Sequence, residues 1–387
     1  MRAVPLLALA VGTAGCLAPA DVSRTCGDVK PERALLVLER ETSGQSGLAR
    51  LDPDGCFTEV PDVALGTDPV LCPTHDRPFV CVRDEGLILE VDPADAHVIR
   101  TAKAFREDEP RPCGGATCSN PHGVDVDASG RLWVARYDQT SAAVLAPSGA
   151  WSESVDLLAL AGPTGLPQME AVRVHDGRAF FALQRLPALD CVPASVPAGA
   201  IAVLDVAAPH ALTTFALRGR NPLGRFVPAA SDATGATVSI ATPGSFAEAS
   251  SDTDGVELVD LANRTSRVAV SERTLGGSVI EAVVVGPTEG YAIVAEADPD
   301  CHSARNATWL TRFDPASGQV TGTLADTRAS AEPGFFYAGI AVDGGLVVLG
   351  DRTPGAARLR FFDRESGAQV GEITPQRLPP AGLLALP

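Results

Sequence analysis

The sequence contains few lysines, few aromatic residues and no long apolar run beyond its first residues. Lys30 and Lys103 are its only lysines, and aromatic residues make up 5% of the chain. The 48 acidic residues outnumber the 31 basic ones, and the formal net charge is −17. A surface of this sign repels phosphate backbones, so no nucleic-acid partner is expected. The scarcity of aromatic residues also gives no sign of a stacked sugar-binding platform.

The common catalytic and metal-binding motifs are missing as well. There is no G-x-S-x-G elbow, H-E-x-x-H pair, phosphate-binding P-loop or G-x-G-x-x-G turn. No C-x-x-C pair occurs and histidines number six, so a zinc site is not favoured. The acidic segment 252–257 lacks a complete calcium-ligand series and is expected to be a surface turn. No catalytic residue and no resident cofactor are therefore assigned from motifs.

The first residues have the pattern of an export signal. A positive charge at Arg2 precedes the apolar run 3–11, which is far shorter than the ~20 residues of a membrane-spanning helix. The run leads into Thr13-Ala14-Gly15-Cys16, which resembles a bacterial lipobox. The departure from that motif is Thr13, where leucine is usual. A lipid-anchored protein is the interpretation that this pattern favours.

We therefore expect residues 1–15 to be a lipoprotein signal peptide and residues 16–33 to be a tether lipidated at Cys16. Such a protein would lie in the bacterial cell envelope, at the outer membrane or the periplasmic face, and touch the membrane through its anchor alone. Ordinary cleavage after Ala20, which leaves a secreted protein beginning at Asp21, is the alternative.

The cysteine count agrees with export. Once Cys16 is set aside, an even number of cysteines remains, and an even number in an exported chain suggests disulfides. Cys72 and Cys81 would flank a hairpin, and another two cysteines share one loop. The pairs expected on this basis and by elimination are Cys72–Cys81, Cys113–Cys118, Cys26–Cys56 and Cys191–Cys301.

The chain repeats itself, and the repeat predicts the fold. One recurring element is an alternating apolar strand that ends in aspartate at a tight turn, where the carboxylate accepts backbone N–H groups. These aspartates are expected to be structural. The clearest copies cover residues 48–55, 89–93, 310–318 and 359–367.

A second element precedes most of these copies and consists of a short strand, a turn and a strongly apolar strand. The two elements together give four short antiparallel strands per unit, which is one blade of a propeller. No sustained helical periodicity interrupts the strands, so the chain is predicted to be all-β. Copies of the second element cover residues 121–135, 170–183, 281–295 and 338–349.

Six blades have complete strand sets, with inner strands that start near residues 69, 122, 170, 223, 281 and 338. Residues 34–63 supply only three strands of another blade. The missing inner strand matches residues 380–386, whose sequence resembles residues 337–342. We therefore predict a seven-bladed β-propeller over residues 34–387, with the C-terminal strand completing blade one. This closure leaves no unpaired blade edge.

The D-P-x-x-G turns, as at residues 314–318, and the N-P-H-G-V inner strand at residues 120–124 resemble those of YVTN, NHL and SMP-30-like bacterial propellers. The resemblance covers nearly the whole chain after residue 33. It implies a propeller, but members of these families range from lactone hydrolases and antibiotic lyases to noncatalytic binding scaffolds. The resemblance therefore leaves the function open.

Aligned inner strands place His122, Glu170 and Glu281 at one position in blades three, four and six. Inner strands line the central channel, so these side chains are candidate ligand-binding residues at its mouth. SMP-30-like enzymes hold a metal in this region with Glu, Asn and Asp, and the resemblance would imply a divalent cation here. The other blades depart from that set, because their equivalent residues are Pro69, Leu223, Ala338 and Ala381.

Long loops at residues 105–119, 184–199, 242–255 and 297–307 are expected to emerge together on one face. Loops on a rigid scaffold commonly bind partners. The sequence therefore favours a noncatalytic, monomeric binding scaffold that presents this face to a protein or a small ligand. The alternative is a metal-dependent hydrolase or lyase with its site at the channel mouth.

Overall fold

Short antiparallel strands make up nearly all of the regular secondary structure in the described chain. The structure is a computed structural model that describes residues 24–387 apart from 42–43, 62, 64, 75–76, 110–118, 188–195, 210, 230–231, 233, 248–250, 299–306 and 330–333. The predicted signal peptide and the lipidation residue Cys16 lie outside the described residues. Within the described part, no helix is both long enough and apolar enough to span a bilayer.

The strands form seven separate sheets, numbered here as blades in chain order. Blade one begins with β1 (Arg24–Cys26), β2 (Leu35–Arg40), β3 (Ser46–Leu51) and β4 (Cys56–Val60). Blade two contains β5 (Pro69–Pro73), β6 (Pro78–Val82), β7 (Leu87–Val91) and β8 (Val98–Lys103). Blade three contains β9 (Pro121–Val126), β10 (Leu132–Arg136), β11 (Ser141–Leu145) and β12 (Trp151–Asp156).

The later blades follow the same four-strand plan. Blade four contains β13 (Met169–His175), β14 (Arg178–Leu183), β15 (Ala198–Asp205) and β16 (Leu212–Arg220). Blade five contains β17 (Leu223–Pro228), β18 (Thr237–Thr242), β19 (Gly255–Asp260) and β20 (Thr265–Ser271). Blade six contains β21 (Ser278–Gly286), β22 (Glu289–Ala295), β23 (Thr308–Asp314) and β24 (Gln319–Asp326). Blade seven contains β25 (Tyr337–Asp343), β26 (Leu346–Asp351), β27 (Arg358–Asp363) and β28 (Gln369–Ile373).

The last strand, β29 (Pro380–Ala385), pairs antiparallel with β2 and completes blade one. The first strand of each blade contacts the first strand of the next, from β5 round to β29 and back to β5. These contacts close the ring. The predicted seven-bladed propeller and its closing strand are thus confirmed. The described helices are the one-turn α1 (Glu272–Leu275) and a short 3-10 turn at Leu158–Leu160.

The apolar core is divided among the spaces between neighbouring blades. Seven clusters of buried side chains each combine residues of two adjacent blades. Trp133 of blade three and Phe181 of blade four, for example, are fully buried with ring centroids 6.5 Å apart. Each blade therefore buries both of its faces, which removes the apolar strands from water.

The repeated aspartates act at turns, as predicted. Asp314 accepts hydrogen bonds from the backbone N–H of Ala316 at 2.8 Å and from the Ser317 hydroxyl at 2.8 Å. Asp363 accepts the backbone N–H and the hydroxyl of Ser366 in the same way. These contacts hold the tight turn between the third and fourth strands of a blade.

Part of the segment predicted to be a tether is built into the propeller instead. Residues 24–26 form β1, which pairs with β4 as a fifth, outer strand of blade one. The side chain of Arg33 binds Asp343 of blade seven, with Nε to Oδ1 at 2.7 Å. Sequence patterns missed this strand because three residues are too few to show alternation.

Two predicted disulfides are confirmed. Cys26–Cys56 joins β1 to β4, and Cys72–Cys81 joins β5 to β6 within blade two. The first bond attaches the N-terminal segment covalently to the blade that closes the ring. The other four candidates, Cys113, Cys118, Cys191 and Cys301, lie outside the described residues.

Candidate functional site

The three predicted site residues line one cavity at an end of the central channel. His122 and Glu170 are the second residues of β9 and β13, and Glu281 lies in β21 just after a bulge. All three border a space of about 280 Å³ at the end where the inner strands begin. We call this space the mouth cavity. Its polar lining consists of Arg40, Arg83, His122, Glu170, Arg225, Glu281 and Arg352.

His122 and Glu170 are in direct contact. Nδ1 of His122 lies 2.7 Å from Oε2 of Glu170, and both side chains are almost buried. The other ring nitrogen, Nε2, lies 3.4 Å from Nη1 of Arg83. Since a guanidinium only donates, this contact favours the tautomer that carries its proton on Nδ1 and donates it to Glu170. The ring of Tyr137 stacks on His122 with centroids 4.5 Å apart.

The two glutamates also connect neighbouring blades. Oε1 of Glu170 accepts the backbone N–H of Gly224 on blade five at 2.7 Å, and Oε2 of Glu281 accepts that of Gly339 on blade seven at 3.1 Å. Both glycines have left-handed backbone angles, with φ of 79° and 82°. The left-handed conformation turns the N–H of the residue away from the strand ladder and towards the glutamate. Glycine stands at both positions because it adopts a positive φ without steric cost. Each glutamate therefore links its blade to the next one in the ring through a hydrogen bond.

His122, Glu170 and Glu281 do not converge as a metal-binding trio. Among the described residues, the one group whose ligand atoms all lie within 4.8 Å of one another is Asp92, Asp95 and His97, at an accessible turn of blade two. In the mouth cavity, Glu281 pairs with Arg225 rather than with the His122–Glu170 pair. The carboxylates of Glu170 and Glu281 therefore belong to two separate charge pairs, with His122 and with Arg225 respectively.

Four arginines in the mouth cavity were not predicted. Arg40 and Arg83 share one carboxylate oxygen, Oδ1 of Asp68, at 2.5 and 2.6 Å. Burial by itself would raise the pKa of Asp68, but the hydrogen bonds and charges of Arg83 and Arg40 outweigh it and lower that pKa. Asp68 is thus an anion that holds two cations at the edge of the channel.

Arg352 makes no ion pair with any residue that the structure describes. Its Nη2 donates to the backbone oxygen of Arg40 at 3.0 Å, and its buried Nε has no hydrogen-bond partner there. Burial, and then the positive charge of Arg40, lowers the pKa of Arg352. A half-buried guanidinium next to a second cation is a costly arrangement unless an anion is bound.

Arg225 reaches across the channel. It extends from blade five, pairs with Oε1 of Glu281 on blade six at 3.2 Å, and donates to the backbone oxygen of Leu383 on the closing strand at 3.0 Å. Burial raises the pKa of Glu281, and the charge of Arg225 offsets part of that rise. The side chain of Arg225 therefore separates the mouth cavity from the rest of the channel.

The missed arginines have a sequence signal that becomes clear once the blades are aligned. Arg40 ends β2, Arg83 follows β6 and Arg352 follows β26, so each one stands at the end of the second strand of its blade. These blades, seven, one and two, are neighbours in the ring. The second strand of blade three ends in arginine too, at Arg136, but Arg136 is buried in an ion pair with a glutamate outside the mouth.

The acidic segment 252–257 is not the surface turn that was predicted. Asp252 is exposed, but Asp254 and Glu257 are fully buried. Asp254 forms an ion pair with Arg220, and Glu257 accepts the backbone N–H of Gly219 at 2.9 Å. These carboxylates turn inward because the end of β16 presents N–H groups and a cation that they satisfy.

The long loops open on the same face as the mouth cavity. In blades four, five and six the second strand pairs with the beginning of the inner strand where it enters its loop, as Leu183 does with Met169 and Ala295 with Ser278. The backbone N–H of Asp298 donates to the backbone oxygen of Phe246 at 2.9 Å, and this bond links the loops of blades five and six. The described parts of the loops of blades four, five and six thus lie on the face that holds the channel mouth.

Comparisons with known proteins give a likeness of fold. No protein-family model and no curated protein matches the sequence. Hydrazine synthase of Kuenenia stuttgartiensis matches with a TM-score of 0.52 at 14% identity, over 80% of this chain and 87% of that one. The dihydro-heme d1 dehydrogenase NirN matches with a TM-score of 0.52 at 13% identity, over 94% and 77%. A streptogramin B lyase matches with 0.52 at 9% identity, over 90% and 91%.

What these chains share with the present one is the fold. Identities this low carry no activity, substrate or site residue from one chain to another. The likeness supports the propeller, and membership of the YVTN, NHL or SMP-30-like groups stays a prediction.

Proposed function

We propose that this protein is a noncatalytic binding scaffold that captures a small organic anion at the mouth of its propeller channel. The observation that carries the proposal is Arg352, a half-buried cation that faces the mouth cavity without an ion-pair partner in the described chain. A bound anion would supply the missing charge.

The balance of charge at the mouth supports an anionic ligand. Four arginines line the cavity and face three carboxylates, those of Asp68, Glu170 and Glu281. The mouth thus has an excess of positive charge, although the whole chain has a net charge of −17. A cleft with the opposite sign to its surroundings concentrates ligands of the complementary charge. Guanidinium groups bind carboxylates and phosphates with paired hydrogen bonds.

The engaged state of the other polar groups supports binding rather than catalysis. Both nitrogens of His122 face partners, since Nδ1 contacts Glu170 and Nε2 contacts Arg83. Glu170 and Glu281 each accept a backbone N–H from the next blade. A general base needs a free lone pair within reach of the substrate, and these groups already use theirs for structure.

Titration calorimetry with three probes tests this function: acetate, hexanoate and inorganic phosphate. We expect at least one of them to bind, and Arg352→Gln to weaken that binding by tenfold or more. The control is Arg267→Gln, because Arg267 is an exposed arginine on the outer strand β20 that donates to the backbone oxygen of Pro315 away from the mouth. Absence of binding at millimolar concentration, or an equal effect of both substitutions, would overturn the proposal. The probe preference separates carboxylate ligands from phosphate ligands.

We also propose that the scaffold works in the bacterial cell envelope, attached through Cys16. The support is the lipobox-like segment 13–16 and the two disulfides, which belong to an oxidising compartment. Expression of the full chain in a bacterial host, followed by fractionation, tests the attachment. We expect the protein in the membrane fraction and Cys16→Ser in the soluble fraction. Equal release of both forms into the medium would instead support the secreted alternative.

A second candidate function is a metal-dependent hydrolase or lyase, and one observation favours it. The 2.7 Å contact between His122 and Glu170 is the carboxylate–imidazole arrangement that orients a general base or a metal ligand. Metal analysis of the purified protein tests this function. A stoichiometric divalent ion that is lost in Glu170→Ala would support the enzyme and contradict the scaffold. Purified protein that contains no metal, together with unchanged anion binding in Glu170→Ala, would contradict the enzyme function.

A further inference from the structure

The central channel contains a second cavity below the mouth cavity. It has a volume of about 430 Å³ and lies at the end where the inner strands finish. Inner strands of four blades contribute aliphatic side chains to it, and none of its described lining residues is aromatic. We call it the lower cavity. The aliphatic side chains that matter here are Val227, Val285, Val342 and Leu384.

Among the described residues, Arg225 is the one that lines both cavities. Its contacts with Glu281 and with the backbone oxygen of Leu383 both use the same nitrogen, Nη2. A long side chain held through one terminal nitrogen, and still one-fifth exposed, can rotate without disturbing the backbone. Rotation of Arg225 would join the two cavities into one continuous channel.

The joined channel has one end with a cation that lacks an ion-pair partner in the described chain and one mainly aliphatic end. The mouth cavity offers the guanidinium groups of Arg40, Arg83 and Arg352, whereas the lower cavity offers branched aliphatic surface. The lower cavity is also lined by Arg33 and Arg364, but their charges are paired with Asp343 and Glu289. From Glu281 at the mouth to Val285 in the lower cavity is four residues along β21, or about 13 Å. A ligand that satisfies both ends is therefore elongated, with an anionic head and a flexible hydrocarbon tail.

We propose that the anion captured at the mouth is a straight-chain alkyl carboxylate, whose chain passes Arg225 and lies in the lower cavity. This inference rests on the proposed function and specifies its ligand class. The carboxylate takes the place of the missing partner of Arg352. The alkyl chain replaces water against Val285 and Val342, which stabilises the complex in proportion to the apolar area buried.

A series of acetate, butanoate, hexanoate, octanoate and decanoate, each below its micelle concentration, tests the inference by calorimetry. Each methylene group that enters the lower cavity should tighten Kd by about three- to fourfold. The double substitution Val285→Thr/Val342→Thr keeps the side-chain shape and adds hydroxyls, so it should weaken octanoate binding tenfold or more while acetate binding stays unchanged. Val320→Thr, on the exposed outer strand β24, is the matched control.

The outcomes separate this inference from the proposed function. Carboxylate binding that depends on Arg352 but does not strengthen with chain length would overturn the inference and leave the proposed function standing. Absence of binding of acetate, hexanoate and phosphate alike would overturn both. Nuclear Overhauser contacts between the terminal methyl of octanoate and the methyls of Val285 and Val342 give an independent measurement. Contacts with surface residues only would also contradict the inference.

Discussion

Arg225 of blade five donates a hydrogen bond to the backbone carbonyl oxygen of Leu383 on the closing strand, 3.0 Å away across the central channel. The same nitrogen pairs with Glu281 of blade six at 3.2 Å. One side chain therefore connects three blades, including the blade that the C-terminal strand completes. Burial raises the pKa of Glu281, and the positive charge of Arg225 opposes that rise.

The Arg225–Glu281 pair should be coupled in stability. Arg225→Gln leaves the half-buried carboxylate of Glu281 without its cation and should lower the free energy of unfolding by about 1–3 kcal/mol. Glu281→Gln removes the acceptor and should also destabilise the fold. The double substitution should cost less than the two single costs together, by about 1 kcal/mol, in urea unfolding at neutral pH. Strict additivity of the two substitutions would show that the pair does not interact.

The two left-handed glycines should differ in their tolerance of a side chain. A Cβ on Gly224 would meet nothing within 4 Å. Gly224→Ala should therefore lower the free energy of unfolding only by the backbone cost of a positive φ, about 1 kcal/mol. A Cβ on Gly339 would lie 2.9 Å from the backbone of Gly382 on the closing strand. Gly339→Ala should therefore destabilise the protein by at least about 1 kcal/mol more. Equal melting temperatures for the two variants would contradict this description of the ring closure.

Glu39 should make stability fall as the pH rises. The side chain is buried in blade one, and burial, followed by the charge of Glu59, raises its pKa to about 8. The folded state therefore keeps the proton of Glu39 above the pH at which the unfolded chain releases it. The stability linked to this proton is fully present below pH 4.5 and is lost as pH rises towards 8. Between pH 5 and pH 8 the loss should be about 2–4 kcal/mol.

The comparison variant for this prediction is Glu39→Gln, which has no proton to release. Its stability should decline less than that of the wild type over the same pH range, and the difference between the two slopes isolates Glu39. Burial raises the pKa of Glu272 to about 9, so Glu272 also makes stability fall as the pH rises. Both proteins contain Glu272, and its contribution therefore cancels when their slopes are compared. Urea unfolding at several pH values measures both slopes. Parallel slopes would mean that Glu39 is ionised in the folded protein.

The Cys26–Cys56 disulfide should hold the N-terminal strand on the propeller. The bond closes a loop with a sequence separation of 30, so Cys26→Ala/Cys56→Ala should lower the free energy of unfolding by about 2–4 kcal/mol. Strand β1 has three residues and should detach when the bond is absent. Hydrogen exchange of residues 24–27 reports the detachment. Protection that persists without the disulfide would show that the pairing with β4 suffices.

The fold follows from the sequence because its repeat is local. Each blade repeats short alternating strands and an aspartate turn, and both signals lie within a few dozen residues. The closing strand was predictable because residues 380–386 resemble another inner strand, and β29 pairs with β2 as expected. Strand β1 was missed because it is short, and its place depends on a disulfide to Cys56 and on backbone pairing with distant residues.

The site was only partly predictable, for reasons of geometry. His122, Glu170 and Glu281 share a register, so alignment of inner strands found them. Arg225 was not found, because the pairing of β17 is irregular between Leu223 and Val227 and an alignment of regular strands does not show which side chain enters the channel.

An alignment of inner strands does not show Arg40, Arg83 and Arg352, because these residues stand at the ends of second strands. Their meeting in the mouth cavity depends on ring closure, which brings blade seven beside blade one. Sequence separation therefore concealed the convergence, although each arginine is visible in its own repeat. The ion-pair partners of these arginines appear only in three dimensions. Arg40 and Arg83 both pair with Asp68, whereas Arg352 has no ion-pair partner among the described residues.

A crystal structure of the protein with saturating octanoate is the most direct test of the central claim. We expect the carboxylate to contact the guanidinium of Arg352 in the mouth cavity, and the alkyl chain to pass a rotated Arg225 towards Val342. A crystal in which the mouth cavity contains only water at that concentration, or in which octanoate binds elsewhere on the surface, would contradict the claim.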